Sequence, residues 1–366
     1  MEGDFIEIKD WLRPLSWLYG IGVKIRNTMF DCGILPSEAF NVPVISVGNI
    51  TVGGTGKTPH TEYLIRILQD KFNIAVLSRG YKRKSRGFLI ADNDTPMKMI
   101  GDEPYQIKRK FPAITVAVDR KRRRGIKKLI SNEYVKDIEV VLLDDAFQHR
   151  YVKPGINILL VDYHRLINED ALLPAGRLRE HESGKNRANI VIVTKCPSEI
   201  KPMDFRVIQK ALDLYPYQEL FFTTLRYGNL KQMYGTKSIP LDTLNESENI
   251  LLLTGIASPK QLLLDLEKHS HKITQLAYGD HHNFSKSDVT KINDTFASLK
   301  GEKIIITTEK DASRLYETKG LSDEVKENIY MLPVEIEFMR NGEQTFNDNI
   351  IGYVRKNSRN SILSKV

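Results

Sequence analysis

The stretch NITVGGTGKT at residues 49–58 lies between an apolar run at 43–47 and a helical pattern from about residue 58 to 70. A strand that ends in a Gly-rich turn and opens a helix is typical of a phosphate-binding loop, in which backbone N–H groups face anionic oxygens. In such a loop Lys57 reaches the β and γ phosphates, and the Thr58 hydroxyl binds Mg²⁺. The predicted nucleotide-binding residues are Thr51, Val52, Gly53, Gly54, Thr55, Gly56, Lys57 and Thr58. A Gly-rich turn without a ligand is the alternative interpretation.

One position departs from the usual phosphate-binding pattern. That pattern has glycine five residues before Gly56, where this sequence has Thr51. Gly53 and Gly54 can supply the backbone freedom that the loop needs.

Short apolar runs alternate with helical stretches over most of the chain. Runs at 74–78, 114–118, 139–143, 156–161 and 190–194 are nearly continuous, as expected for parallel strands covered on both faces. A second unit has strand-like runs at 249–254 and 303–308, with helical patterns after Pro259 and Ser285. We therefore predict an α/β protein: a P-loop-containing doubly wound αβα domain and a smaller αβα domain, joined by a short linker.

The predicted boundaries divide the chain into five segments. These are an amphipathic N-terminal segment (1–35), the nucleotide-binding domain (36–226), the linker (227–248), the second domain (249–340), and a C-terminal helix and tail (341–366).

Composition narrows the class of protein. Among the 366 residues, 41% are hydrophobic and 27% charged, which excludes a disordered chain, a collagen-like repeat and a multi-span membrane protein. Lys plus Arg outnumber Asp plus Glu by 54 to 46, and the net charge of +8 favours acidic partners. Two distant cysteines, Cys32 and Cys196, form neither a disulfide framework nor a zinc site, and their number fits a reducing compartment.

The N-terminal segment is rich in aromatic and aliphatic residues. Its apolar run is interrupted by Asp10, Arg13, Lys24 and Arg26, so it does not read as a membrane-spanning helix. Trp11, Trp17 and Tyr19, with basic residues between them, suit a helix lying at a bilayer interface. Packing of this helix on the domain core is an alternative that does not exclude the first.

Several further clusters carry candidate chemistry. Asp144 and Asp145 end an apolar run, where a carboxylate can help hold Mg²⁺, although an acidic pair can also cap a turn. GDEP (101–104) places two carboxylates side by side, although a turn followed by a helix start is the alternative interpretation. In DHH (280–282) a histidine could act as a base, with Asp280 or another carboxylate orienting its ring. TKCP (194–197) lacks the aspartate that guanine recognition needs, and TEKD (308–311) has the wrong spacing, so ATP is predicted rather than GTP.

Basic runs at 82–86, 108–110 and 120–128 lie inside the predicted nucleotide-binding domain. Such runs usually form a solvated surface, and here they could bind an acidic substrate or an anionic membrane. Aromatic residues do not alternate with the basic ones, so no nucleic-acid partner is expected.

Seven stretches, taken in order, resemble the tetraacyldisaccharide 4′-kinase family, the membrane-associated lipid A kinases of Gram-negative bacteria. They are VGNITVGGTGKTP (47–59), LSRGYKR (77–83), GDEP (101–104), LDDAFQHR (143–150), LPAGRLRE (173–180), DH (280–281) and TEKD (308–311). The resemblance covers about residues 14–338, and DDAFQHR and SRGY are its most specific parts. Thr51 is typical of the family's own form of the loop, and Ala146, where the family often has glycine, is a minor departure.

The resemblance implies two αβα domains joined by a two-stranded linker, with the active site in the cleft. It also implies transfer of the γ-phosphoryl group of ATP to the 4′-hydroxyl of an acylated glucosamine disaccharide 1-phosphate, giving lipid IV-A. This reaction uses Mg²⁺. It would take place at the cytoplasmic face of the bacterial inner membrane, on an anionic surface to which the protein binds as a peripheral or monotopic protein.

Carried over by position, the resemblance also implies residue roles. Asp102, paired with His281, would be the base, and Lys57 and Asp145 would be the other catalytic residues. The metal-binding residues would be Thr58, Asp144 and Glu103. The substrate-binding residues would be Tyr81, Arg120 and Arg179.

Two other functions stay open from the residues alone. The first is a P-loop ATPase switch that binds a membrane or DNA and hydrolyses ATP without a lipid acceptor. The second is a kinase of a small soluble molecule, which the Trp-rich N-terminus disfavours because a soluble acceptor needs no interfacial helix.

Overall fold

The computed structural model describes residues 8–245, 247–256, 259–279 and 282–363. Strands in this part of the chain are numbered in order: β1 (Val44–Gly48), β2 (Ile74–Ser78), β3 (Leu89–Ala91), β4 (Thr115–Val118), β5 (Val140–Asp144), β6 (Ile156–Asp162), β7 (Ile190–Thr194), β8 (Glu219–Tyr227), β9 (Leu230–Gln232), β10 (Ser238–Ile239), β11 (Asn249–Thr254), β12 (Ile273–Ala277), β13 (Lys303–Thr308), β14 (Ile329–Leu332) and β15 (Val334–Phe338).

The α-helices of the same residues are numbered likewise. They are α1 (Arg13–Asp31), α2 (Lys57–Leu68), α3 (Met97–Ile100), α4 (Asp102–Lys110), α5 (Arg122–Ile130), α6 (Pro202–Leu212), α7 (Lys260–Leu266), α8 (Lys286–Ser298), α9 (Glu309–Leu315), α10 (Asp323–Asn328) and α11 (Gly342–Leu363). Short 3₁₀ turns occupy Asp10–Leu12, Glu182–Arg187 and Leu241–Thr243.

The larger sheet has the strand order β15-β8-β7-β6-β1-β5-β2-β4-β3. The seven central strands, from β8 through β7, β6, β1, β5 and β2 to β4, pair in parallel. The edge strands β15 and β3 pair with β8 and β4 in antiparallel orientation. Every residue of β1, β2, β5 and β7 is buried, because helices cover both faces of the sheet. The predicted doubly wound αβα fold is confirmed.

Alternate side chains of each strand enter different cores. Val140 and Leu142 of β5 join the face covered by α2, α4 and α11, whereas Val141 and Leu143 face α5. Further along the same sheet, α6 packs on β6, β7 and β8. Because successive side chains of a strand point to opposite faces, one apolar run supplies both layers.

The second sheet has the strand order β10-β9-β14-β13-β11-β12. Strands β11 to β14 pair in parallel, whereas β9 and β10 run antiparallel at one edge. One face packs on α8, α9 and α10, and the other on α7. This sheet is the core of the smaller αβα unit.

Two predicted boundaries differ from this topology. Strand β15, predicted with the second domain, pairs with β8 in the larger sheet, and β9 and β10 of the smaller sheet lie inside the predicted linker 227–248. The chain passes between the two sheets twice, once at Gly228 and once at Pro333. The two crossings lie side by side, since the Gly228 N–H donates to the Pro333 carbonyl at 3.0 Å. The short alternating run 334–338 does not reveal which sheet it joins, since its partner lies more than a hundred residues earlier.

The C-terminal helix α11 belongs to the core of the larger domain. Phe346 is fully buried and packs against Phe338, Phe221 and Tyr63, with ring centroids 4.7, 5.4 and 6.1 Å away. Aromatic packing of this kind adds to the free energy gained by burial. The helix is therefore a structural part of the nucleotide-binding domain.

We expect Phe346→Ala to lower the free energy of unfolding by about 3–5 kcal/mol, because the truncation leaves a cavity among these rings. The exposed Met203→Ala is the control and should change it by less than about 0.5 kcal/mol. Urea unfolding followed by circular dichroism measures both. Equal effects of the two substitutions would contradict the packing of α11 on this core.

Candidate active site

The predicted phosphate-binding loop connects β1 to α2 at the carboxyl edge of the larger sheet. Gly56 precedes α2 with φ 79°, and Gly53 has φ 119°, so both glycines adopt backbone conformations that L side chains disfavour. Lys57 and Thr58 begin the helix, whose first N–H groups have no partner within it. A helix start of this form presents partial positive charge to an anion.

The loop is held by side chains at its base. Asn49, fully buried, donates through Nδ2 to the hydroxyls of Thr55 at 2.8 Å and Thr51 at 3.4 Å. Thr194, at the end of β7, donates to the Thr55 carbonyl at 3.1 Å. Thr51 therefore replaces the usual glycine with a hydroxyl that accepts a hydrogen bond inside the loop.

A second chain segment runs along the same loop. Val52 N–H donates to the Arg177 carbonyl at 2.7 Å, and Arg179 N–H donates to the Ile50 carbonyl at 2.7 Å. The two segments form an antiparallel bridge at Thr51. The LPAGRLRE motif (173–180) thus places Arg179 beside the loop.

His60 stabilises the first turn of α2. Its Nδ1 lies 2.7 Å from the Gly56 carbonyl and its Nε2 lies 3.1 Å from the Thr223 hydroxyl. Because a carbonyl only accepts, Nδ1 carries the proton and Nε2 accepts from Thr223. Burial lowers the pKa of His60 to about 4, so the ring is neutral at pH 7.

Three carboxylates lie near the loop. Asp144 is buried, and its Oδ1 accepts from the Thr61 hydroxyl at 3.4 Å, whereas its Oδ2 has no hydrogen-bond partner among the described residues. Burial, together with the charges of Glu103 and Asp145, raises the pKa of Asp144 to about 7. A buried, unpartnered carboxylate oxygen beside two other carboxylates fits a divalent cation.

Asp145 lies between two cations. Its Oδ1 is 3.8 Å from Lys57 Nζ and 3.4 Å from Arg179 Nη1. Within the described residues, no group of three or more His, Cys, Asp and Glu side chains could by itself hold a metal ion. Magnesium in phosphoryl-transfer sites takes few protein ligands, because phosphate oxygens and waters supply the rest.

Asp102 and Glu103 begin α4. Asp102 Oδ2 accepts from Arg314 of α9, at 2.8 Å from Nη2 and 3.1 Å from Nε. Glu103 lies 3.9 Å from Lys310 Nζ. The predicted partner of Asp102, His281, lies outside the described residues, as does Asp280.

One cleft of about 4030 Å³ brings these groups together. Every predicted site residue that the structure describes lines this cleft except Asp144. Asp144 is buried at the end of β5, one residue before Asp145. Tyr81 and Arg120 are exposed on the wall of the cleft. Tyr19, Val23 and Arg26 of α1 also line it, so the N-terminal helix borders the site.

The basic run at 120–128 divides into different environments. Arg122 is buried and donates to the carbonyls of Asp119 and Asp144, each at 3.3 Å. Arg124 forms a bidentate pair with the buried Asp119. Part of this run is therefore structural, while Arg120 remains exposed to the cleft.

Sequence reasoning missed Gln148 and Arg314. Gln148 donates to the Asn49 carbonyl at 2.5 Å and accepts from Arg179 at 3.3 Å. It lies within LDDAFQHR, so the sequence motif includes this residue but does not reveal its contacts. Arg314 follows TEKD at helical spacing from Asp311, and this i, i+3 relation was the available signal.

Comparisons with known proteins identify the relatives of this chain. A family model described as "Tetraacyldisaccharide-1-P 4′-kinase" matches residues 8–354. The chain belongs to this family. Tetraacyldisaccharide 4′-kinases of Phocaeicola vulgatus and Bacteroides thetaiotaomicron are 57% and 55% identical to it, over 100% of this chain and 100% and 98% of those proteins.

A solved structure agrees with this assignment. The crystal structure of LpxK from Aquifex aeolicus in complex with ATP has a TM-score of 0.74 and 30% identity, covering 94% of this chain and 99% of that one. The predicted membership of the tetraacyldisaccharide 4′-kinase family, and with it the kinase function in lipid A biosynthesis, is confirmed.

The neutral, buried state of His60 predicts a pH-dependent stability. In the unfolded chain His60 binds a proton below its ordinary pKa of 6.5, whereas in the folded chain it does so only below a pKa of about 4. The free energy of unfolding therefore falls as the pH drops from about 6.5 to about 4, because protons bind preferentially to the unfolded chain. The advantage of wild type over His60→Gln in free energy of unfolding should grow by about 2 kcal/mol from pH 4.5 to 7. Urea unfolding across this range measures it, and a constant difference would contradict a neutral His60.

Proposed function

We propose that this kinase transfers the γ-phosphoryl group of ATP to the 4′-hydroxyl of tetraacyldisaccharide 1-phosphate inside the 4030 Å³ cleft. The observation that carries the proposal is the convergence of the loop at Lys57, the carboxylate of Asp145 and the carboxylate of Asp102 on this one cleft. Phosphoryl transfer depends mainly on positioning and charge stabilisation, and these groups supply both signs of charge.

The phosphate side of the site is formed by β1, α2 and β5. Lys57 and the N–H groups at the start of α2 would bind the phosphates of ATP. Thr58 and Asp144, with Glu103 nearby, would hold Mg²⁺, which when bound neutralises negative charge on the phosphate oxygens. Asp145, paired with Lys57 and Arg179, orients both cations toward the phosphates.

The acceptor side is formed by α4. Asp102 would take the proton of the 4′-hydroxyl, with His281 as its partner, because the hydroxyl is a poor nucleophile until a base removes its proton. Asp102 lies in the first turn of α4, where the helix dipole favours the ionised carboxylate. Tyr81, Arg120 and Arg179 would contact the anionic substrate along the cleft wall.

The N-terminal helix supports binding to an anionic membrane surface. It is tied to the domain by Ser16 and Tyr19, whose hydroxyls donate to the carbonyls of Leu172 and Arg179 at 2.9 and 2.7 Å. Large apolar side chains of this helix and of the 3₁₀ turn before it are exposed: Trp11, Leu15, Trp17, Leu18, Ile21 and Ile25. Within the described residues, no helix combines the length and the apolar character needed to cross a bilayer.

The segment packs on the domain through Ser16 and Tyr19, and its exposed apolar side chains support an interfacial role. An exposed apolar helix face with flanking basic residues inserts at a bilayer interface. We place the protein at the cytoplasmic face of the inner membrane, with α1 between the bilayer and the cleft and with no nucleic-acid partner. A lipid substrate then reaches the cleft beside the helix that contacts the membrane.

Asp102→Asn should lower kcat for lipid phosphorylation by about 10²–10⁴-fold, because the base is lost, while ATP affinity changes by less than about twofold. Lys57→Ala should remove ATP binding as well as turnover. Both are measured by transfer of labelled γ-phosphate to tetraacyldisaccharide 1-phosphate in detergent micelles with Mg-ATP, alongside equilibrium binding of ATP. Full turnover by Asp102→Asn would remove its role, and ATP hydrolysis by wild type without lipid labelling would favour the ATPase switch.

Replacing Trp11 and Trp17 together by serine should weaken binding to vesicles that contain anionic lipid at least about tenfold, because each buried apolar side chain contributes about 1.5–3 kcal/mol. These side chains are 77% and 69% exposed. The matched control is Met203→Ser with Val207→Ser on α6, where the side chains are 71% and 59% exposed. Vesicle co-sedimentation measures all three proteins, and equal losses in both variants would contradict a specific role of the N-terminal segment.

A further inference from the structure

The TEKD motif at residues 308–311 has no part in the proposed mechanism, although it lies at the start of α9 beside the cleft. The Thr308 side chain caps α9 by accepting from Asp311 N–H at 3.1 Å, and its hydroxyl donates to Asp311 Oδ2 at 2.7 Å. Asp311 Oδ2 also accepts from Gly255 N–H at 2.9 Å. The motif therefore ties the start of α9 to the end of β11 within the second domain.

Helix α9 docks on both ends of α4, which belongs to the nucleotide-binding domain. Glu309 Oε1 lies 2.6 Å from Lys110 Nζ at the end of α4, and Lys310 lies 3.9 Å from Glu103 at its start. Arg314 pairs with Asp102 at 2.8 Å, also at the start. One short helix of the second domain thus contacts both the proposed base and the carboxylate next to it.

Arg314 is held within its own domain. Its side chain is 2% exposed, and its Nη1 donates to Asp311 Oδ1 at 2.9 Å and to the Gly255 carbonyl at 3.3 Å. Nε and Nη2 point the other way, and both donate to the same oxygen, Oδ2 of Asp102. Because a planar guanidinium has fixed donor directions, the two bonds restrict the rotation of the Asp102 carboxylate.

We infer that Arg314 is a positioning residue for Asp102, by which the second domain orients the base of the nucleotide-binding domain. The inference rests on the proposed function, since it gives Arg314 a role only if Asp102 accepts the proton. A base acts efficiently only when its oxygen lies in line with the hydroxyl, and a misplacement of about 1 Å can cost about 100-fold in rate. Arg314 is too deeply buried to contact the substrate itself. Asp311 balances the charge of Arg314 within the second domain, so the contact with α4 adds Asp102 to an ion pair that is already formed.

The test compares Arg314→Gln, Arg314→Lys and Asp311→Asn in the full chain. Arg314→Gln should lower kcat about 10- to 100-fold with KM for ATP within about twofold, because the Asp102 carboxylate loses its orientation. Arg314→Lys should restore part of kcat. Asp311→Asn, which weakens one of the two contacts that hold Arg314 in its own domain without touching Asp102, should lower kcat in the same direction by a smaller factor.

The matched control is Glu309→Gln, which weakens the contact of α9 with Lys110 and leaves the Arg314–Asp102 pair in place. It should keep kcat within about twofold of wild type, whereas a role of Arg314 in docking alone would give the two variants the same loss of kcat. Wild-type kcat in Arg314→Gln, or a change confined to KM for ATP, would overturn the inference. Wild type that hydrolyses ATP without phosphorylating the lipid would instead overturn the proposed function, independently of Arg314.

Discussion

Burial of the central strands on both faces determines where this protein can place polar chemistry. Every residue of β1 and β5 is buried, so an ionisable side chain within either strand would be desolvated without a partner. Asp144 illustrates this cost, because even at the last residue of β5 burial raises its pKa to about 7. The phosphate loop, the carboxylate pair and Arg179 therefore meet at the carboxyl edge, where parallel strands end together and helices begin.

The same edge explains how opposite charges coexist in the cleft. Asp145, one residue beyond the strand, reaches solvent and lies near Lys57 and Arg179, whereas Asp144 keeps an unpartnered oxygen beneath it. Two adjacent carboxylates thus have different surroundings, and this difference suits one for orienting cations and the other for a metal ion. Neutral His60 keeps the helix start in place without adding charge to it.

Features set by local sequence were predictable, and features set by docking were not. The continuous apolar runs of β1, β5 and β7 and the Gly-Lys-Thr turn were predicted because burial on two faces and helix initiation leave local patterns. The predicted second domain, 249–340, takes in β15, which pairs with β8 of the larger sheet, since its five residues carry no mark of that partner. Arg314 was missed for a related reason: its role depends on how α9 meets α4, and no local pattern encodes that contact.

Two of the contacts between α9 and α4, those of Glu309 and Arg314, lie at opposite ends of α9. Glu309 accepts from Val334 N–H at 3.3 Å, next to the crossing at Pro333, and its other oxygen pairs with Lys110. Arg314 lies five residues further along the helix, about 7.5 Å at 1.5 Å per residue. The Lys110 contact is thus joined to the crossing itself, whereas the Arg314–Asp102 contact depends on the direction in which α9 continues from it.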